Sequence, residues 1–284
     1  MIRSTAEKGI TKRTFNFFAA RPLIRVTVAA MPSRHSKVTI VALAVLASAA
    51  GSLLHEGLGH GLTAWLRGDI VTEWTSNHLN SVRPDRLVDA AGTLVNLGAG
   101  FILLFAARAA GRRCNVRYFL WLLAALNLLD AAGYFLFSGV GNLGDWAQVI
   151  AGLPHQGALR VAMASTGALA YVVFLRMLMR ELRPFCPDRG TYNTVGRLPY
   201  CAACVFMCIA GAFDPMGIKV FLISTVPAHF GGLSGLLWGD VFLRGLPAAA
   251  QTLTVRRSVP LWITAIVLGA AFVALLGGGI DFVR

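Results

Sequence analysis

Val38-Thr39-Ile40-Val41-Ala42-Leu43-Ala44-Val45-Leu46-Ala47-Ser48-Ala49-Ala50-Gly51-Ser52-Leu53-Leu54-His55-Glu56-Gly57-Leu58-Gly59-His60-Gly61 is the stretch that decides how this chain folds. No charged residue interrupts it before His55. A run of about twenty apolar residues is what a helix needs to cross a bilayer. Two imidazoles and a carboxylate then follow at its far end. Ionisable groups in such a place are costly, and by default they mark a functional site.

Working outward, the same kind of run recurs. The chain has 284 residues, 56% of them hydrophobic and only 14% charged, against roughly a quarter charged in soluble domains. Its mean hydropathy is +0.64. Seven spans are expected, at about Val38–Leu58, Leu87–Ala107, Tyr118–Ser138, Ala158–Met179, Leu198–Phe213, Ile218–Trp238 and Val259–Ile280. The fold class is therefore all-α, a polytopic transmembrane helical bundle. It forms one membrane domain over 38–284, with a metal-site core at about 38–150 and a basic N-terminal tail over 1–37.

Charge sets the expected orientation. Basic residues gather in alternate loops: the N-terminal tail, Arg108 to Arg117, Arg176 to Arg197, and Arg244 to Arg257. The intervening loops are close to neutral. By the positive-inside rule the N-terminus is cytoplasmic, the C-terminus lies outside, and the end of the first span faces the extracytoplasmic side. The tail has the composition of a basic segment lying on anionic lipid and equally of an organellar transit peptide. Met31 would serve as an alternative start. No cleavable secretory signal is expected. The net charge of +13 does not imply nucleic acid, because the basic residues separate apolar runs and form no basic-aromatic module.

Small residues predict how the spans meet. Gly92, Asn96 and Gly100 recur every four residues on the second span, and Gly231, Gly235 and Gly239 do so on the sixth. Such stripes let helix backbones approach closely in lipid. Cys201, Cys204 and Cys208 lie within an apolar run with no His or acid close in sequence, and read as packing residues.

The chemistry centres on His55, Glu56 and His60. In H-E-x-x-H, two histidines four apart share one face of a helix and hold zinc while the Glu serves as general base. Here the histidines are five apart, which on a regular α-helix separates them by ~140°. A single wide π-turn brings residues five apart nearly into register, and Gly57, Gly59 and Gly61 ease such a distortion. Alternatively Glu56 and His60, four apart, form the metal pair. A catalytic zinc takes three protein ligands and keeps one position open. The expected third ligand is Asp145, in Gly141-Asn142-Leu143-Gly144-Asp145-Trp146. His78 is the alternative and Asp130 comes third, otherwise as a buried carboxyl bonded to Tyr134 or Asn127. Asn96 and Asn142 are candidate substrate-binding residues. Asp89 is expected to cap the second span. His229 reads as a neutral histidine of the packed bundle, and His35 and His155 as solvated loop residues.

At these residues the chain resembles the site-2 protease type of intramembrane zinc metallopeptidase. His55-Glu56 with Gly59-His60-Gly61 is similar to that family's H-E-x-G-H. Ala91-Gly92-Thr93-Leu94-Val95-Asn96 is similar to its A-G-P-L-x-N stretch, and Asn142 with Asp145 to its Asn-to-Asp-Gly motif. The resemblance covers roughly residues 40–150. The chain departs from the pattern by one extra residue before His60, by Thr93 in place of proline, and by Trp146 after Asp145. No regulatory peptide-binding domain is inserted. The resemblance implies a Zn2+ cofactor held by His55, His60 and Asp145, water activated with Glu56 as general base, and peptide hydrolysis at the membrane. The implied partners are the lipid bilayer and a membrane-protein or peptide substrate, with a bacterial inner (plasma) membrane as the location. Two other classes stay open on the residues alone. One is a non-catalytic membrane protein with a structural metal or an ion- or proton-handling role. The other is a metal-dependent lipid hydrolase.

Overall fold

A computed structural model describes residues 34–83 and 85–283. The tail up to Ser33, with the transit-peptide reading and the start at Met31, lies outside the described residues. In chain order the elements are α1 (Lys37–Leu66), strands β1 (Val71–Trp74) and β2 (Leu79–Ser81), α2 (Arg86–Ala109), α3 (Cys114–Gly141), the short α4 (Asp145–Ile150), α5 (Gln156–Phe185), α6 (Arg189–Gly211), α7 (Ile218–Leu243), α8 (Val259–Gly277) and β3 (Ile280–Asp281). Among the described residues, all the helices except α4 are long and apolar enough to cross a membrane, seven in all.

Where the boundaries differ from the expected ones, the reason is local. α1 does not stop at Leu58 but continues to Leu66, because the distortion at its glycines widens the helix without ending it. α6 begins at Arg189, not Leu198: Asp188 caps it by accepting from Thr191 N–H, and a wide turn over Asn193–Arg197 precedes Pro199. A proline in the first turn of a segment has no N–H to leave unpaired. α2 is capped by Asp85, whose carboxylate accepts from Leu87 N–H at 2.8 Å; Asp89 sits one turn too late. The expected seventh span overran by three residues. Ile280 belongs to β3, which pairs antiparallel with β1 to give a sheet of order β2-β1-β3. The near-neutral loop after α1 is thus a hairpin joined by the C-terminal strand.

α3 carries the core. Trp121, Leu122, Leu128 and Leu129 are fully buried between its neighbours. Lipid is as apolar as leucine, so close packing rather than water exclusion holds such helices together. Gly139 and Gly167 lock α3 to α5: a Cβ on Gly139 would fall 2.6 Å from Ala164 N, and one on Gly167 2.5 Å from Leu136 N. Gly100 of the expected stripe presses on Leu128, and Gly235 on Tyr171, but Gly231 meets nothing within 4 Å. Outward faces are apolar, as lipid requires: Ile102, Leu169 and Ile266 are each about 70% exposed. Wide turns free carbonyls that aromatic hydroxyls satisfy. Tyr118 donates to Val195 O, Tyr171 to Gly232 O and Tyr200 to Phe230 O, at 2.8, 2.7 and 3.0 Å. His35 accepts the Val255 N–H at 3.1 Å and is not a solvated loop residue.

Candidate metal centre

The nine residues Leu53–Gly61 form a continuous π-helical stretch within α1. At its end Leu62 N–H donates to Gly57 O, five residues back. This winding turns His55 and His60 to the same side. The expected reason for the three glycines, backbone distortion, is only part of the answer, since none of them has positive φ. Gly57 and Gly59 also supply space. A Cβ on Gly57 would lie 2.8 Å from the Trp74 ring, and one on Gly59 2.8 Å from Gly92 N. The hairpin and α2 therefore close onto the motif at backbone distance.

Asp145 arrives just past the C-terminal end of α3. α3 stops at Gly141, Asn142 takes a left-handed conformation (φ 54°), and Gly144 (φ 76°) turns the chain into α4, where Asp145 is the first residue. Its Oδ2 lies 3.2 Å from His55 Nε2 and 3.5 Å from His60 Nε2. The two rings stand at 72° with centroids 4.8 Å apart, and one donor atom from each of the three residues falls within 4.8 Å of the others. Tetrahedral zinc with bonds of about 2.0–2.1 Å sets its ligand atoms about 3.3 Å apart.

Both imidazoles are held from behind. His60 Nδ1–H donates to Val88 O at 2.7 Å, which leaves a lone pair on Nε2. His55 Nδ1 lies 3.0 Å from Asn96 Nδ2, which in turn donates to Asp130 Oδ2 at 2.7 Å; Asp130 itself is 3.7 Å from His55 Nδ1. Asp130 was expected to bond Tyr134 or Asn127, and it reaches Asn96 and His55 instead. Tyr134 lies against the His55 ring at 5.1 Å. Backbone carbonyls and carboxylates of this kind fix the tautomer and direction of metal-binding histidines.

The two nitrogens approach the backbone of α2 closely at Gly92. A Cβ there would fall 2.6 Å from His55 Nε2 and closer still to His60 Nε2. Glu56 is buried, and its Oε2 has no hydrogen-bond partner among the described residues. It lines a cavity of about 70 Å³ together with His55, Asn96, Asn127, Asp130 and His229, room for about two waters. Ser48, Ser76, Asn77, Asn96, Asn127 and Thr225 also present buried polar atoms without partners there. These are amides and hydroxyls. No Lys or Arg among the described residues lines the cavity.

The other sequence candidates are placed elsewhere or differently. His78 is held between Glu73 Oε2 at 3.1 Å and Asp214 Oδ2 at 3.2 Å, away from the three-donor cluster. Asn142 ends α3 and is exposed. Asn96 sits behind His55. His229, read as a packing residue, donates Nδ1–H to Thr225 O at 2.9 Å and borders the cavity. Asn77, Asn127 and Thr225 were missed, since nothing local in the sequence distinguishes a polar residue facing the cavity from one satisfied in the bundle. All five cysteines are free thiols. The chain matches no family profile, no curated protein and no solved structure.

Proposed function

We propose that the chain is an integral-membrane, zinc-dependent hydrolase acting on peptide bonds. One observation carries the reading. With its Nδ1–H committed to Val88, His60 points a lone pair at Asp145 Oδ2 from 3.5 Å. Two acceptors so placed call for a cation between them, either a proton or a metal ion. The convergence of three donors, two imidazoles and a carboxylate, within 4.8 Å of one another favours the metal ion, since a shared proton needs only two.

In this reading His55, His60 and Asp145 hold the metal. Zinc supplies a Lewis acid that polarises a carbonyl and lowers the pKa of water. Glu56 takes the proton of the attacking water; burial and the lack of a hydrogen-bond partner on Oε2 keep that oxygen available. Asn96 and Asp130 position His55, and Val88 O positions His60. The amide and hydroxyl groups of the lining can hydrogen-bond a peptide group, and the carboxylates Glu56 and Asp130 in the same lining disfavour an anionic phosphodiester headgroup. By loop charge the centre lies toward the extracytoplasmic side, and the location is a bacterial inner membrane.

A second reading, proton or cation handling, is favoured by the short chain from Asp145 through His55 and Asn96 to Asp130, with steps of 3.2, 3.0 and 2.7 Å. Glu56→Gln separates the two. Purified protein in lipid vesicles is challenged with dye-labelled casein and labelled transmembrane peptides. Hydrolysis by wild type, lost in Glu56→Gln with zinc retained, is expected. Unchanged turnover in Glu56→Gln sinks the assignment.

A further inference from the structure

One helix length from the metal centre, where α3 begins and α5 ends, lies a pocket of about 550 Å³ lined by Arg117, Arg180 and Arg183. The loop over 246–251 forms its other wall, with Pro247 and three alanines that keep the space open. No acidic side chain among the described residues lines it. The nearby Glu181 is already taken, with Arg108 Nε at 2.8 Å and Arg117 at 3.7 Å. Arg183 bonds only to backbone carbonyls, those of Cys186, Pro187 and Pro247. Arg180 has no partner among the described residues. Arg180 and Arg183 thus bring guanidinium charge to the pocket that no carboxylate among the described residues pairs with.

We propose that this pocket binds a phosphate-bearing anion, the headgroup of an acidic phospholipid. Guanidinium groups match phosphate oxygens with paired N–H donors. Basic pockets between membrane helices are suited to such headgroups. Arg117 stands in the first turns of α3 and Arg180 in the last turns of α5, at the ends of two spans, where headgroups lie. Leu246 and Pro184 offer apolar surface for the glycerol and upper acyl chain.

The test uses full-length protein in neutral detergent, followed by thermal unfolding during titration with phosphatidylglycerol, phosphatidylcholine or inorganic phosphate. Phosphatidylglycerol is expected to stabilise wild type and phosphatidylcholine is not. Arg180→Gln makes no lost contact and should fold, but should weaken phosphatidylglycerol binding about five-fold, the effect of one basic residue near a headgroup. Arg180→Lys should recover part of it. Arg113→Gln removes the same charge from the same end of α3, outside the pocket, and should behave as wild type. Inorganic phosphate acting as well as the lipid would support the anion site and overturn the lipid source. Equal effects of both lipids, or equal losses in Arg180→Gln and Arg113→Gln, would overturn the proposal.

Discussion

If His55, His60 and Asp145 hold zinc as proposed, replacing Gly92 with alanine should abolish that binding while leaving the helix that carries it intact. The added Cβ would lie 2.6 Å from His55 Nε2 and 2.8 Å from His55 Cδ2, and nearer still to His60 Nε2. A relaxed contact between heavy atoms needs about 3.5 Å, so the His55 ring must retreat by about 0.9 Å. Metal–ligand distances tolerate only about ±0.2 Å. The displacement exceeds that several-fold for both histidines, and their tethers at Val88 and Asn96 resist it. Zinc affinity should therefore fall at least about 100-fold, or about 2.7 kcal/mol. Folding is affected less: overpacking costs about 1–3 kcal/mol, offset by up to about 1 kcal/mol of helix propensity. Gly98, on the same helix with nothing within 4 Å, is the matched control. Competition with a chromogenic chelator gives the affinity, and circular dichroism reports helix content. Wild-type zinc affinity in Gly92→Ala would refute the reasoning.

Two further outcomes follow from the surroundings of the site. Asn96→Ala should reduce zinc affinity about 10–100-fold through loss of His55 orientation; lowered thermal stability with unchanged affinity would leave Asn96 only a packing role. Asp85→Ala should cost about 1 kcal/mol by removing the α2 cap, read as a lower unfolding temperature. The hydrogen bond from Arg67, then that from Leu87 N–H, holds the Asp85 carboxyl below its usual range. A group with a depressed folded pKa stabilises above its unfolded value and loses that contribution as pH falls through the folded one. The gap between wild type and Asp85→Ala should therefore be full at neutral pH and close below about pH 4; a gap independent of pH contradicts it.

Much of the architecture was legible because each span is a local fact. Apolar length gave all seven helices, and the five-residue spacing of His55 and His60 made a wide turn one of two readings, the one found in the structure. Asp145 was legible as well, since Gly141, Asn142 and Gly144 mark a reversal at the end of a span. What escaped depends on partners far along the chain. β1 is only four residues long and pairs with β3 about two hundred residues later, so Val71-Thr72-Glu73-Trp74 gave too short an alternation to declare itself. The second role of Gly57 and Gly59, admitting Trp74 and α2, was hidden for the same reason. Asp130 reaches His55 by way of Asn96, three spans converging on one imidazole, and no spacing in one helix encodes that. His78 sits in a loop next to the motif, but Glu73 and Asp214 claim both of its nitrogens.

In the proposed function the π-turn brings His55 and His60 together with Asp145 to hold one metal ion. Elemental analysis of full-length protein purified in detergent without added metal tests it most directly, with wild type beside Glu56→Gln, His55→Ala, His60→Ala and Asp145→Ala. The account predicts about one zinc per chain in wild type and in Glu56→Gln, consistent with three protein ligands at a catalytic site, and strong depletion in the other three. Equal metal content in all five proteins would contradict it.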